Sequence, residues 1–116
     1  MRTYYVGMDV HRARIVIVVL NGAGKVVMQV VTETSAGRVR DFLKQLRGKV
    51  SVRFEEGTQA NWLYDLVRPL VTEVIVCDPR QNKLLAVGNK SDRIDAQKLA
   101  ELLRYGSLRE IGRAHV

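Results

Sequence analysis

The chain opens with three consecutive segments rich in β-branched and aromatic residues, and this order constrains the fold more than any other feature of the sequence. The segments cover residues 3–10, 14–20 and 25–32. Asn21, Gly22 and Gly24 lie between the second and third segments, where the positive φ that Asn and Gly tolerate suits a tight hairpin. We therefore expect an antiparallel meander of three strands at the start of the fold.

Two segments with the apolar spacing of a helix follow, and each is followed by or contains a residue that ends a helix. Ser35 can cap the first helix and Thr58 the second. Apolar residues recur at helical spacing at Val39, Phe42, Leu43 and Leu46 in the first helix, and at Ala60, Leu63, Val67 and Leu70 in the second. Gly48 ends the first helix, and Pro69 marks the end of the second because proline removes a backbone donor.

Short strand-like segments alternate with these helices. Residues 50–54 alternate between apolar and polar, and residues 73–77 are almost wholly apolar, as in a buried parallel strand. A third helix begins at Ser91 or Asp92 and reaches Tyr105, with Gly106 as its predicted stop. Parallel neighbours need a crossover connection, so the order predicts an α/β fold. Its mixed five-stranded sheet has three antiparallel strands first, then βαβ crossovers, with flanking helices.

Composition excludes several classes of protein. An apolar fraction of 47% excludes wholesale disorder, and the longest apolar run has six residues where a bilayer needs roughly 20. A single cysteine, Cys77, excludes an internal disulfide and a multi-cysteine zinc site. The first residues have no secretory signal pattern, so we expect a cytoplasmic protein. The net charge of +7 favours a polyanionic partner, although such a charge also serves solubility.

Acidic residues end several of the predicted elements, next to apolar neighbours. Asp9 lies near the end of the first strand, and Glu55 and Glu56 end the fourth strand, where α/β sheets bind ligands. Asp92 and Asp95 share one face of the third helix, next to its apolar stripe. A divalent cation relieves the repulsion among such carboxylates, and Mg²⁺ prefers oxygen ligands. Two such ions support in-line displacement at a phosphodiester.

Each acidic residue also has a plainer explanation. Asp9 can be a strand-end residue that turns into the hairpin, while the glutamates and the two aspartates of the third helix can complement helix dipoles. His11, two residues after Asp9, can be a surface residue or can touch a metal ion or a phosphate. Convergence of these acids on one edge of the sheet is the argument for a metal site.

Four short segments, in this order, carry a family resemblance. They are Gly7-Met8-Asp9-Val10-His11, Phe54-Glu55-Glu56-Gly57-Thr58 with Trp62-Leu63, Val76-Cys77-Asp78-Pro79-Arg80, and Lys90-Ser91-Asp92-Arg93-Ile94-Asp95-Ala96 with Leu99-Ala100-Glu101-Leu102-Leu103. Together they resemble the amino-terminal domain of the DEDD insertion-sequence transposases related to the Piv invertase. The resemblance covers nearly the whole chain and implies the ribonuclease H-like fold of RuvC-type nucleases.

The resemblance also implies which residues act. In that family an acidic tetrad holds Mg²⁺ or Mn²⁺ for DNA strand cleavage and exchange, and it corresponds here to Asp9, one of Glu55 and Glu56, Asp92 and Asp95. We favour Glu56 for two reasons: it continues the alternation of the inward-pointing residues of the fourth strand, and its spacing to the later tryptophan suits the family. Glu55 is the alternative.

The resemblance predicts a domain boundary as well. Residues 1–106 correspond to the RuvC-like DEDD catalytic domain, and residues 107–116 to the start of a linker toward a carboxy-terminal region. In the family that region carries a serine nucleophile, so we expect these 116 residues alone to be inactive in recombination.

The implied partners are nucleic acids and further copies of the protein. DNA is the implied substrate, some relatives use a guide-type non-coding RNA, and the full-length protein is expected to be a homo-oligomer without membrane association. Basic residues near the predicted active edge are candidates for phosphate contacts or for balancing nearby acids: Arg80, Lys83, Lys90 and Arg93.

Two other classes of function remain as alternatives. The chain could be a non-catalytic nucleic-acid-binding or dimerisation module. It could also be part of an actin-like or sugar-kinase-like ATPase, whose opening strand, hairpin and aspartate are similar. Such an ATPase is expected to have glycines beside Asp9 to cradle phosphate, and Val10-His11 does not supply them.

Overall fold

The computed structural model describes residues 2–77 and 92–109, with the side chains of residues 2–77 and 96–105. The described residues form five strands and three helices. These are β1 (Thr3–Val10), β2 (Arg14–Asn21), β3 (Val26–Glu33), α1 (Ala36–Lys44), β4 (Lys49–Glu55), α2 (Ala60–Val67), β5 (Glu73–Cys77) and α3 (Asp92–Arg109). A 3₁₀ turn, Arg68–Leu70, contains Pro69 and follows α2 directly. No helix in this part of the chain is both long and apolar enough to cross a bilayer.

The five strands form one mixed sheet in the order β3-β2-β1-β4-β5. The first three strands are antiparallel neighbours, whereas β1 pairs with β4 and β4 with β5 in parallel. This confirms the predicted α/β class and the predicted change from hairpins to crossovers. The two parallel pairs need the crossover helices α1 and α2, because a tight turn reverses the chain direction and can therefore join only antiparallel neighbours.

The sheet is covered on both faces, which explains why β1 and β2 are apolar at nearly every position. One face packs against α1 and α2, and its buried residues include Val6, Met8, Ile17, Phe54 and Leu63. The other face packs against α3, and its buried residues are Tyr5, Val16, Val18, Leu20, Ala96, Ala100 and Leu103. Residues of one strand therefore alternate between two separate cores.

Gly7 brings α3 close to the backbone of β1. A Cβ atom at Gly7 would overlap the carbonyl oxygen of Ala96 and would lie 2.6 Å from the backbone nitrogen of Ala100. Ala96 and Ala100 are themselves small and fully buried. Three small residues thus allow the helix backbone to rest on the strand.

The direction of α3 follows from its contact with the hairpin between β2 and β3. Arg104 Nε donates a hydrogen bond of 3.1 Å to the carbonyl oxygen of Gly22 in that hairpin. The hairpin adjoins the start of β1, since Tyr4 pairs with Asn21. The carboxyl end of α3 therefore lies at the beginning of β1, and the helix runs antiparallel to that strand.

The ends of two helices differ from the predicted ones. The Ser35 cap of α1 is confirmed, since Ser35 Oγ accepts a hydrogen bond from the Arg38 backbone N–H at 3.3 Å. The Thr58 cap is wrong: Gln59 precedes α2 in a helical conformation, because the chain enters this helix through a turn in which the Ala60 N–H donates to Gly57 O.

The predicted stop at Gly106 is also wrong, since α3 continues to Arg109. A glycine costs only about 1 kcal/mol in a helix relative to alanine, so it does not end a helix by itself.

Candidate active site

A pocket of about 150 Å³ lies at the carboxyl ends of the parallel strands β1 and β4. Its lining comes from the end of β1, the end of β4 and the turn that enters α2: Met8, Asp9, Val10, Arg12, Phe54, Glu55, Glu56, Gly57, Thr58, Gln59 and Ala60. This is the edge of an α/β sheet at which ligands usually bind. Three of the acids selected from the sequence, Asp9, Glu55 and Glu56, are among the residues that line it.

Asp9 and Glu55 continue β1 and β4 just beyond the last pair of their parallel ladder. Gly7 pairs with Arg53 in the parallel ladder of β1 and β4, and two further residues along each strand are Asp9 and Glu55. Neighbouring strands lie roughly 4.8 Å apart. The cross-strand partner of Asp9 on the other side is Val16, which belongs to the α3 core. Asp9 and Glu55 therefore share the face that α3 covers.

Glu56 occupies a different position, beyond the end of β4. Its backbone N–H donates a hydrogen bond of 2.9 Å to Cys77 O, and its side chain is exposed. The sequence favoured Glu56 because it falls on the same face of β4 as the apolar residues, such as Phe54. Those residues are buried against α1 and α2, whereas Asp9 lies on the opposite face. The parity argument thus supports Glu55 as the neighbour of Asp9, and the identity of the ligand stays a prediction.

His11 contacts Asp9 directly. Its Nε2 lies 3.0 Å from Asp9 Oδ2, and the Asp9 side chain is only 15% exposed. The His11 backbone is held by the turn, since its N–H donates to Arg14 O at 2.8 Å and its carbonyl accepts from Thr34 Oγ1 at 2.7 Å. A histidine fixed in this way orients the carboxylate beside it. The two-residue spacing was the only signal of this contact in the sequence.

Arg53 is a neighbour of the site that the sequence did not single out. It lies on β4 two residues before Glu55, and its cross-strand partner Ile75 packs against the α3 core. The Arg53 Nε atom is buried and has no hydrogen-bond partner among the atoms that the structure describes. A guanidinium on this face supplies positive charge close to the acidic residues.

The first turn of α3 begins at Asp92. Ala96 contacts Gly7, and the helix runs antiparallel to β1, so the backbone of this turn lies beyond Gly7 in the direction of Asp9. Four helical residues span about 6 Å, close to the rise of two strand residues. The backbones of Asp92 and Asp9 therefore extend to the same end of the sheet.

Several predicted site residues lie outside what the structure describes. This applies to the side chains of Asp92, Arg93 and Asp95, and to Arg80, Lys83 and Lys90 entirely. Within residues 2–77 and 96–105, no group of three or more His, Cys, Asp or Glu side chains is arranged to hold a metal ion. A complete tetrad would need the carboxylates of α3.

Comparison with known proteins identifies the family. The family model of the IS110-type DEDD transposases, described as transposase, matches residues 6–115. The chain belongs to this transposase family. Membership confirms the predicted family and, together with the sheet order, the ribonuclease H-like fold. It also supports DNA transposition as the process in which the chain takes part. No curated protein matches the chain.

Proposed function

We propose that this transposase domain carries out metal-dependent cleavage and strand transfer at DNA phosphodiester bonds. Asp9, Glu55, Asp92 and Asp95 are the proposed ligands of Mg²⁺ or Mn²⁺, with Glu56 as the alternative to Glu55. The main support is that Asp9 and Glu55, which follow the last pair of the parallel ladder of β1 and β4, both line the pocket at the strand ends.

The donor groups in the pocket fit such an ion. Carboxylate oxygens are the ligands that Mg²⁺ and Mn²⁺ prefer. The pocket volume of about 150 Å³ exceeds the roughly 30 Å³ that one water molecule occupies in the liquid, so an ion that keeps part of its hydration shell has room. When bound, a pair of such ions activates the attacking oxygen and stabilises the leaving oxygen of a phosphodiester.

Residues next to the proposed ligands orient the acids and offer contacts to the substrate. His11 restrains the Asp9 carboxylate through the 3.0 Å contact, so less conformational freedom is lost when this carboxylate takes up a ligand. Arg12 lines the same pocket and offers a cation to a DNA phosphate. We further propose that Arg80, Lys83, Lys90 and Arg93 contact the DNA backbone, which the net charge of +7 favours. A guide RNA remains a prediction.

Titration of the chain with Mg²⁺ or Mn²⁺ tests the metal site. At a free metal concentration 100-fold above Kd, binding stabilises the folded state by about 2.7 kcal/mol. For a domain of this size the melting temperature then rises by roughly 10 °C. Asp9→Asn should remove most of this shift, because the side chain keeps its shape but loses its charge. A non-catalytic binding module would show no metal-dependent shift.

A matched pair of variants separates the two glutamates. We expect Glu55→Gln to weaken metal binding by at least about tenfold, as loss of a charged ligand should, and Glu56→Gln to have a smaller effect. Asp41→Asn, an exposed acid on α1, is the control for loss of one negative charge. Metal binding that survives both Asp9→Asn and Glu55→Gln would refute the proposed site, and loss through Glu56→Gln alone would assign the ligand to Glu56.

A further inference from the structure

Positive charge is concentrated on α1 and on its connection to β4. Residues 36–49 contain five basic residues and one acid, Asp41, so they carry four of the seven net positive charges of the chain. α2 packs on the same face of the sheet, yet it contains one acid and no basic residue. Solubility alone would not require such different charges on two helices that cover one face. The charge on α1 therefore indicates a binding role.

Three of these basic residues form a row along α1. Arg40, Lys44 and Arg47 are spaced four and three residues apart, so they follow one side of the helix, and all three are exposed. The helical turn continues past the end of α1, because the Leu46 N–H donates a hydrogen bond of 3.1 Å to Leu43 O. Arg47 thus stays in line with the row. The side of the helix toward the sheet consists of Val39, Phe42, Leu43 and Leu46.

The row has no countercharge in the part of the chain that the structure describes. None of its three side chains forms an ion pair or a hydrogen bond there. Like charges four residues apart destabilise a helix slightly, and Arg40 and Lys44 are such a pair. Lys44 lies in the last turn and complements the helix dipole, but Arg40 lies in the middle of α1 and does not. A ligand that brings negative charge would relieve this repulsion.

The phosphate backbone of DNA supplies negative charge of the required spacing. Four helical residues rise about 6 Å, so the row from Arg40 to Arg47 is roughly 10 Å long. Duplex DNA carries one negative charge per roughly 1.7 Å of its axis, so several phosphates can face a row of this length. The chain belongs to a transposase family, and its partner of this chemistry is therefore DNA.

The row leads away from the candidate active site. Thr34, just before α1, donates a hydrogen bond of 2.7 Å from Oγ1 to His11 O, so the helix starts near the end of β1. Lys49, just after the row, donates its N–H to Arg2 O at 2.8 Å, so the row ends near the beginning of β1. The eight residues of β1 span roughly 20 Å. The row also lies on the sheet face opposite to the one that α3 covers.

We propose that Arg40, Lys44 and Arg47 form a second DNA-binding surface, which contacts the backbone of a duplex segment away from the bond that is cleaved. Such contacts give affinity without reading sequence. The inference rests on the proposed use of DNA as substrate. It does not rest on the proposed metal ligands, because the acids of the pocket lie on the other face of the sheet. Loss of the row should weaken DNA binding and leave the metal-induced shift in melting temperature unchanged.

Fluorescence anisotropy with a labelled DNA duplex of mixed sequence, measured in EDTA, tests the surface without any contribution from bound metal. Each phosphate contact that is lost lowers the slope of log K against log salt by about 0.9. We expect the double variant Arg40→Gln/Arg47→Gln to lower this slope by about 1.8 and to weaken binding by about tenfold or more at 0.1 M salt. Its melting temperature should stay that of the unmodified chain, because both side chains are exposed.

Lys25→Gln/Arg38→Gln is the matched control, since it removes the same charge from two other exposed residues. Lys25 follows the hairpin between β2 and β3, and Arg38 lies on the opposite flank of α1. The control should change the slope by less than half as much. Equal losses in the two double variants would refute the surface, as would DNA binding that Arg40→Gln/Arg47→Gln leaves unchanged.

Competition with RNA tests the identity of the partner. An RNA hairpin with the same number of phosphates should not displace the labelled duplex more readily than unlabelled DNA does. Displacement by RNA at a tenfold lower concentration, lost in Arg40→Gln/Arg47→Gln, would assign the row to RNA and overturn the proposal. A chain that loses DNA binding in this variant but shows no metal-induced shift would contradict the metal site alone.

Discussion

The two faces of the sheet are covered by helices in different ways. On the face of α1 and α2, large side chains such as Leu43, Phe54 and Leu63 fill the space between helix and strand. On the face of α3, Gly7, Ala96 and Ala100 bring helix and strand backbones into contact. The acids Asp9 and Glu55 lie on this second face.

This difference indicates that one face mainly stabilises the fold and that the other mainly positions α3. A layer of large side chains buries much apolar area, which is the main favourable term in folding. A helix that rests on a glycine cannot shift toward the strand, and its ends are therefore held at a defined height above the sheet. We infer that the first face supplies most of the folding free energy, and that the second determines where the start of α3 lies relative to Asp9.

Leu43→Ala is the strongest test on the face of α1 and α2. Leu43 is 2% exposed, and truncation of a buried leucine costs about 2–5 kcal/mol through lost burial and a residual cavity. We expect a loss of about 3 kcal/mol in urea unfolding, with the metal-induced shift in melting temperature retained. Lys44→Ala, the exposed neighbour on the same helix, should change stability by less than about 0.5 kcal/mol. Loss of metal binding in Leu43→Ala under folding conditions would contradict the separation of the two faces.

Gly7→Ala is the corresponding test on the face of α3. The added Cβ would overlap Ala96 O, so α3 must move away from β1, and overpacking of this kind costs about 1–3 kcal/mol. We expect about 2 kcal/mol of destabilisation together with loss of the metal-induced shift, because the start of α3 moves with the helix. Gly37→Ala in α1, where nothing lies within 4 Å, is the matched control and should be neutral or slightly stabilising. If Gly7→Ala binds metal like the unmodified chain, close helix approach is not required.

Ser35→Ala measures a smaller contribution on the face of α1 and α2. It removes the side-chain cap on the Arg38 N–H and should cost about 1 kcal/mol in urea unfolding. Thr58→Ala is the comparison, because α2 has no side-chain cap and this change should cost less than about 0.5 kcal/mol. Equal losses in both variants would mean that Thr58 stabilises the start of α2 in another way.

Arg104→Ala should have the smallest effect and concerns the far end of α3. It removes the hydrogen bond to Gly22 O, and because Arg104 is accessible to solvent, we expect about 0.5 kcal/mol. Hydrogen exchange should show faster opening near the carboxyl end of α3, while the helix start and metal binding stay unchanged. Arg47→Ala, an exposed arginine after α1, controls for loss of one positive charge. Weaker metal binding in Arg104→Ala would show that both ends of α3 are coupled.

Much of the fold could be predicted because its signals are local. The alternation of strand and helix periods, the hairpin glycines and the Ser35 cap each depend on residues close in the chain, and the structure confirms them. Local signals failed at Thr58 and Gly106, where entry through a turn and continued helical hydrogen bonding outweighed residue preference.

The candidate site could be predicted from the sequence only in part. Periodicity identifies Asp9, Glu55 and Glu56 as acids at strand ends, but it cannot say which face of a doubly covered strand is the relevant one. Register between β1 and β4 supplies that answer, since it assigns Glu55 and Asp9 to the same face, the one covered by α3. The contact of His11 with Asp9 and the burial of Arg53 Nε depend likewise on packing.

The succession of strands and helices along the chain, the position of the hairpin and the presence of acids at element ends were thus already specified by the order of residues, because backbone preference and apolar spacing act over a few positions. Parallel pairing joins residues about 46 positions apart, such as Gly7 and Arg53, and the approach of α3 joins Gly7 to Ala96 across an even longer stretch. Only the packed structure decides these contacts, since they depend on how whole elements share two cores.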